Sequence, residues 1–173
     1  MGYLISAYFD EKSNRELSKY IREIADETGN SFMTENQVPP HLTISFFEAR
    51  SDEDAKQVFE KIEEKLTGGN IVMPSVGAFF PNVIYAETVL NEYLFELSTM
   101  VNEELEQGKD IIVNRHYKPL SWLPHVTLGK TLEDDQMRIA FEYLQKHFHM
   151  MDVKIERFGL AKTNPHRDML IWK

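Results

Sequence analysis

Two pentapeptides of one design, Pro40-His41-Leu42-Thr43-Ile44 and Pro124-His125-Val126-Thr127-Leu128, constrain this chain more than any other feature of it. In an extended strand alternate side chains share a face, so His41 and Thr43 point one way while Leu42 and Ile44 point the other. His125 and Thr127 repeat that arrangement against Val126 and Leu128. Proline suits the first position of a strand, where a missing ladder donor costs least, and it biases the residue before it toward extended conformations. Both pentapeptides therefore read as strand openings, each with an imidazole and a hydroxyl on its polar face. Together they predict one phosphate-sized site lined by two imidazoles and two hydroxyls.

The surrounding pattern predicts alternating strands and helices. Tyr3 to Phe9 reads as a strand, and Ser13 with Glu16 as a capping box opening a helix whose apolar stripe is Leu17, Tyr20, Ile21 and Ile24, ended by Gly29. The first motif strand is expected to run on through Ser45 and Phe47. A second helix carries Ala55, Val58, Phe59, Ile62 and Leu66 before Gly68-Gly69. Ile71 to Phe80 and Val83 to Val89 read as two strands joined at Pro81-Asn82. The order then begins again. A helix from about Asn91 carries Leu94, Leu97, Val101 and Leu105 to Gly108; the second motif follows, then a helix with Met137, Ala140, Phe141, Leu144 and Phe148. Strands Val153 to Lys162 and Met169 to Trp172 flank Thr163-Asn164-Pro165-His166, a turn by composition. The histidines stand 84 residues apart (125 − 41), and Gly77 and Gly159, at equivalent points in the following strands, stand 82 apart (159 − 77). The expectation is an approximate duplication: a single bilobal domain over residues 1–173, with repeat halves 1–82 and 83–173, and the two motifs brought together between the lobes.

Composition removes whole classes of function. Of 173 residues 42% are hydrophobic, enough for one substantial core or two small fused lobes. The net charge is −9 and no Lys/Arg run could neutralise a row of phosphates, so a long nucleic-acid track is not expected, while a small phosphorylated ligand in a locally basic cleft is compatible. The absence of cysteine excludes disulfides, thiolate metal sites and thiol nucleophiles together. Met1 to Asp10 lacks the basic-then-apolar layout of a secretion signal and no apolar run approaches membrane-spanning length, so a cytoplasmic protein with no membrane partner is expected. Oligomeric state has no signature in the chain.

One His-x-Thr tetrapeptide arises easily by chance; two, each behind a proline and within the same element order, do not. On these residues the chain resembles the two-histidine (2H) phosphoesterase superfamily, which includes LigT-like 2′-5′ RNA ligases and cyclic phosphodiesterases. That resemblance implies an α+β, bilobal duplicated fold, with two mostly antiparallel sheets, outer helices and a central cleft. It implies that His41, Thr43, His125 and Thr127 are the catalytic set. It also implies hydrolysis of 2′,3′-cyclic phosphate or 2′-5′ phosphodiester bonds in nucleotides or short RNA ends. The chemistry suits the residues: one neutral and one protonated imidazole can take a proton from the attacking oxygen and give one to the leaving oxygen. The threonine hydroxyls can donate to non-bridging oxygens as charge builds. No cofactor is implied and no metal-ligand spacing accompanies either motif.

Two alternatives remain at this stage: a nucleotide- or oligonucleotide-binding module that turns nothing over, and a 2′-5′ RNA ligase. Around the motifs, Lys130 and Arg115 could supply positive potential for a terminal phosphate, or simply be solvated. Trp122 and Phe47, the latter expected on the cleft face of its strand, could stack on a nucleobase or pack in the core. His116, His147, His149 and His166 read as structural.

Overall fold

In this computed structural model, which describes residues 1–163 and 166–172, strand β1 (Gly2–Phe9) leads into helix α1 (Glu11–Thr28). The Asp10 carboxylate accepts the Ser13 amide and caps the helix, and Gly29 closes it at φ 70°, the left-handed backbone that glycine adopts freely. The capping box expected at Ser13 and Glu16 is thereby displaced by one turn: Ser13 is the residue whose amide is capped. The buried stripe is the expected one, Leu17, Tyr20, Ile21 and Ile24. Next come α2 (Phe32–Glu35), β2 (Leu42–Glu48), α3 (Asp52–Glu63), β3 (Gly69–Met73), β4 (Ser75–Phe79) and β5 (Val83–Glu87). Then follow α4 (Glu92–Glu106), the two-residue β6 (Ile112–Val113), a 3-10 turn at Arg115–Tyr117, β7 (His125–Lys130), α5 (Asp134–His147), β8 (Met151–Lys162) and β9 (Arg167–Trp172). Asn164 and Pro165, the centre of the turn expected before β9, lie outside the described residues.

All pairings are antiparallel, in the order β3-β8-β1-β2-β7-β5-β4, with β6 on β2 and β9 on β8. The expected two sheets are two groups of strands, β3-β8-β1-β2 and β7-β5-β4, joined where β2 meets β7 at the single pair Leu42–Val126. Helices α3 and α4 pack on the first group, α2 and α5 on the second, and α1 on both. The continuous strand expected over Ile71 to Phe80 is broken at Pro74, which can donate no ladder bond; β3 pairs with β8 and β4 with β5. Phe141, expected in the α5 stripe, is instead exposed.

The registers follow the offsets of the expected halves. Leu42 pairs with Val126, 84 residues on (126 − 42), and Ile71 pairs with Val153, 82 residues on (153 − 71). Positions separated by those offsets thus meet each other at both joins. Each motif strand also carries an extra residue just past its threonine. Ser6 faces Thr43 but Ile5 faces Ser45, which leaves Ile44 over; Tyr85 faces Thr127 but Ile84 faces Gly129, which leaves Leu128 over. Such bulges interrupt alternation and re-aim the side chains beyond them. Among the described residues no helix is long and apolar enough to cross a membrane.

Candidate active site

His41, Thr43, His125 and Thr127 line one cavity of about 630 Å³. Behind them Leu42, Ile44, Val126 and Leu128 are each 0% exposed, so the alternation read from the sequence holds across both tetrapeptides. Past the bulges it changes phase. Phe46, paired with Leu4, and Lys130, paired with Val83, face the cavity at equivalent points of the two strands. Phe47 does not. It is 0% exposed on the other face, stacked on Tyr3 at 5.7 Å, because the extra residue Ile44 turns position 46 rather than 47 toward the cleft. Lys130 lies with its ammonium 5.8 Å from the Phe32 ring centre, a cation held over an aromatic face at the cavity wall.

Trp122 lines the cavity but is 5% exposed, and its indole Nε1 donates to the Thr43 carbonyl at 3.1 Å. The residue leading into the second motif thus holds the backbone of the first. Arg115 is exposed and outside the cavity lining, its Nε donating to His116 Nε2 at 3.3 Å; its neighbours His116 and Tyr117 are the ones that reach the cavity.

The two motif histidines are anchored identically. His41 Nδ1 lies 2.8 Å from the Pro39 carbonyl and His125 Nδ1 lies 2.8 Å from the Leu123 carbonyl, in both cases two residues back along the chain. A carbonyl can only accept, so each Nδ1 carries hydrogen and each Nε2 is left as the nitrogen that gains and loses a proton. Burial holds both rings toward the neutral form. The effect is largest at His41, pushed down to about 3 by burial and then by its neighbour His166, against the opposing pull of the Pro39 carbonyl and Asp168. His125 is also lowered by burial, partly offset by the Leu123 carbonyl.

Their surroundings differ. His125 is boxed by Phe79, with ring centres 4.8 Å apart, and by Tyr85, at 5.1 Å. His41 instead packs on a third imidazole, His166, at 4.0 Å. His166 Nε2 lies 2.9 Å from an Asp168 oxygen that also accepts from the Tyr8 hydroxyl. Burial raises the Asp168 carboxyl, but the His166 and Tyr8 hydrogen bonds outweigh it and hold the group below the usual carboxylate range. The Tyr8 phenol is pushed up, first by burial and then by Asp168. No spacing in the sequence relates residues 8, 166 and 168 to the motifs; antiparallel pairing of β1 and β9 with β8 assembles them.

The sequence matches a family model over most of its length. The model of the 2′-5′ RNA ligase superfamily matches residues 13–167, both motifs included. The chain belongs to this superfamily, the two-histidine phosphoesterases. Among solved structures it is similar to E. coli LigT complexed with 3′-AMP, at a TM-score of 0.63 and 13% identity, over 98% of this chain and 95% of that one. It is likewise similar to a phosphoesterase crystal structure, at a TM-score of 0.60 and 13% identity, over 99% of this chain and 96% of that one. At such identities the likeness is one of fold. No curated protein matches the chain.

Proposed function

We propose that this chain is a metal-independent phosphodiesterase that hydrolyses 2′,3′-cyclic phosphate or 2′-5′ phosphodiester bonds in nucleotides or short RNA ends, with His41 and His125 as the acid–base pair. The observation that carries the reading is the matched anchoring of two imidazoles on one cavity, which leaves two Nε2 atoms as the titrating groups. One Nε2 takes a proton from the attacking water as oxygen bonds to phosphorus; the other gives a proton to the 2′ or 3′ oxygen as its bond to phosphorus breaks. Thr43 and Thr127 donate to the non-bridging oxygens. Lys130 adds the one cationic side chain on the cavity wall among the described residues, histidines aside. The LigT complex with 3′-AMP supports a nucleotide-sized substrate. Joining two RNA ends would reverse the same step, but a net charge of −9 offers long RNA no electrostatic track.

The pH dependence follows from the surroundings. Catalysis needs one imidazole neutral and the other protonated. Activity rises as His41, the more depressed of the two, gives up its proton from about 3 upward. It falls again as His125 loses its own proton, below the ordinary 6.5. The kcat/KM profile is therefore a bell on the acidic side of neutrality, with limbs that belong to the coupled pair. The test is a panel of nucleoside 2′,3′-cyclic phosphates and 2′-5′ dinucleotides assayed in chelator across pH. Turnover of at least one with an acid-side bell is expected; an inert panel, or activity abolished by chelator, contradicts the reading.

A further inference from the structure

The two motif histidines are alike in anchor, strand and bulge, yet one is backed by a charged assembly and the other by uncharged aromatic rings. We propose that His166, held behind the His41 ring by Asp168 and Tyr8, is a positioning residue that assigns the proton roles: His41 is the group that takes the proton and His125 the group that gives it. The inference rests on the phosphodiesterase reading for its chemistry, though not for its principal measurement.

The physical basis is the stack. When His166 carries its second proton, Nε2–H donates to Asp168 at 2.9 Å as an ion pair, and the imidazolium lies with its centre 4.0 Å from that of His41. A second positive charge on His41 at that distance is opposed by Coulomb repulsion and by the loss of solvent around both rings. The His166 side chain is only 5% exposed and its Nδ1 has no partner among the described residues, so little solvent screens the repulsion between the two rings. Across the cavity the rings packed on His125 are uncharged, Phe79 with its centre 4.8 Å away and Tyr85 at 5.1 Å, so no like charge at that distance opposes its proton.

The other titratable and charged groups around His41 do not duplicate this effect. Asp168 from β9 favours the protonated form of His41, opposing His166, while His125 from β7 disfavours it less than His166 does. Tyr8 from β1 bonds Asp168. Lys130, His116 and Tyr117 line the same cavity from β7 and the 3-10 turn. In the reaction His41 Nε2 accepts the proton of the attacking water, the new oxygen–phosphorus bond forms, the ester bond breaks, and the leaving oxygen collects the proton from His125. Exchange with solvent then returns His41 to neutrality and His125 to its protonated state.

The experiment follows the Cε1–H signals of the histidines by NMR through a pH titration of the wild-type chain and of two variants, His166→Phe and His166→Gln. The first keeps a ring against His41 without its charge; the second keeps a donor near Asp168. In the wild type His41 is expected to take up its proton after His125 as pH falls. In either folded variant its midpoint moves up by about one pH unit or more, the size expected on removing a close like charge, while that of His125 stays. Where turnover is measured, the acidic limb of kcat/KM moves up with it and the alkaline limb does not. A wild type in which His41 protonates before His125, or a folded variant whose His41 midpoint is unmoved, overturns the proposal. An inert substrate panel alongside the expected NMR shifts would instead count against the phosphodiesterase reading alone.

Discussion

Strands β2 and β7 are near copies in everything that fixes geometry and different in what surrounds the result. Each opens behind a proline, anchors a histidine Nδ1 on a carbonyl at 2.8 Å and meets the other at equivalent residues. Each takes an extra residue just past its threonine. Beyond that point they diverge: Phe46 stands where β7 has Lys130, and His41 leans on His166 where His125 leans on Phe79 and Tyr85. The lesson is a division of labour. Backbone register places two interchangeable imidazoles, and the side chains packed behind them make the imidazoles unequal.

The comparison breaks most visibly at the histidines. Replacing either His41 or His125 with alanine is expected to lower kcat/KM by roughly a hundredfold to ten-thousandfold, the range for a positioned acid or base. A variant that loses nothing would remove its histidine from the mechanism. Phe47 tests the bulge: Phe47→Ala should destabilise the fold by about 3–5 kcal/mol in denaturant unfolding, as expected for an emptied core site. A variant of full stability but raised KM would put that ring in the cleft after all. The threonines come next. Thr43→Val and Thr127→Val should each cost up to about a hundredfold in kcat while leaving both limbs of the pH profile in place, because a hydrogen-bond donor is lost and no titrating group is; a displaced limb would show that a threonine also sets a histidine's proton. The smallest effect is at Lys130, where Lys130→Met should weaken nucleotide binding and lower the slope of log affinity against log salt by about one, the share of a single phosphate contact. An unchanged slope would leave Lys130 as a wall residue only.

Much of the scaffold was legible because it is written in local periodicity. The helices announce themselves through stripes such as Leu94, Leu97, Val101 and Leu105, and the motif strands through alternation behind proline. The pairing of the two motifs followed from an 84-residue offset that the β2–β7 register repeats. What escaped was set by tertiary context. A bulge has no sequence signature, so the phase change at Ile44 moved the cleft position from Phe47 to Phe46. The helix α1 cap fell on Asp10, since either acidic or hydroxyl side chains serve and packing chose the start. The third imidazole was invisible for a deeper reason: Asp168 and Tyr8 lie on strands that meet only because β8 pairs with both β1 and β9, and His166 sits in the turn just before β9.

The most direct measurement of the central claim is the turnover of a nucleoside 2′,3′-cyclic phosphate, in chelator, by the wild type and by a folded variant carrying both His41→Ala and His125→Ala. The account predicts a ring-opened phosphomonoester from the wild type. From the double variant it predicts a loss well short of the product of the two single losses, because the imidazoles act as a unit. A double variant that folds and turns the substrate over at the wild-type rate would contradict it.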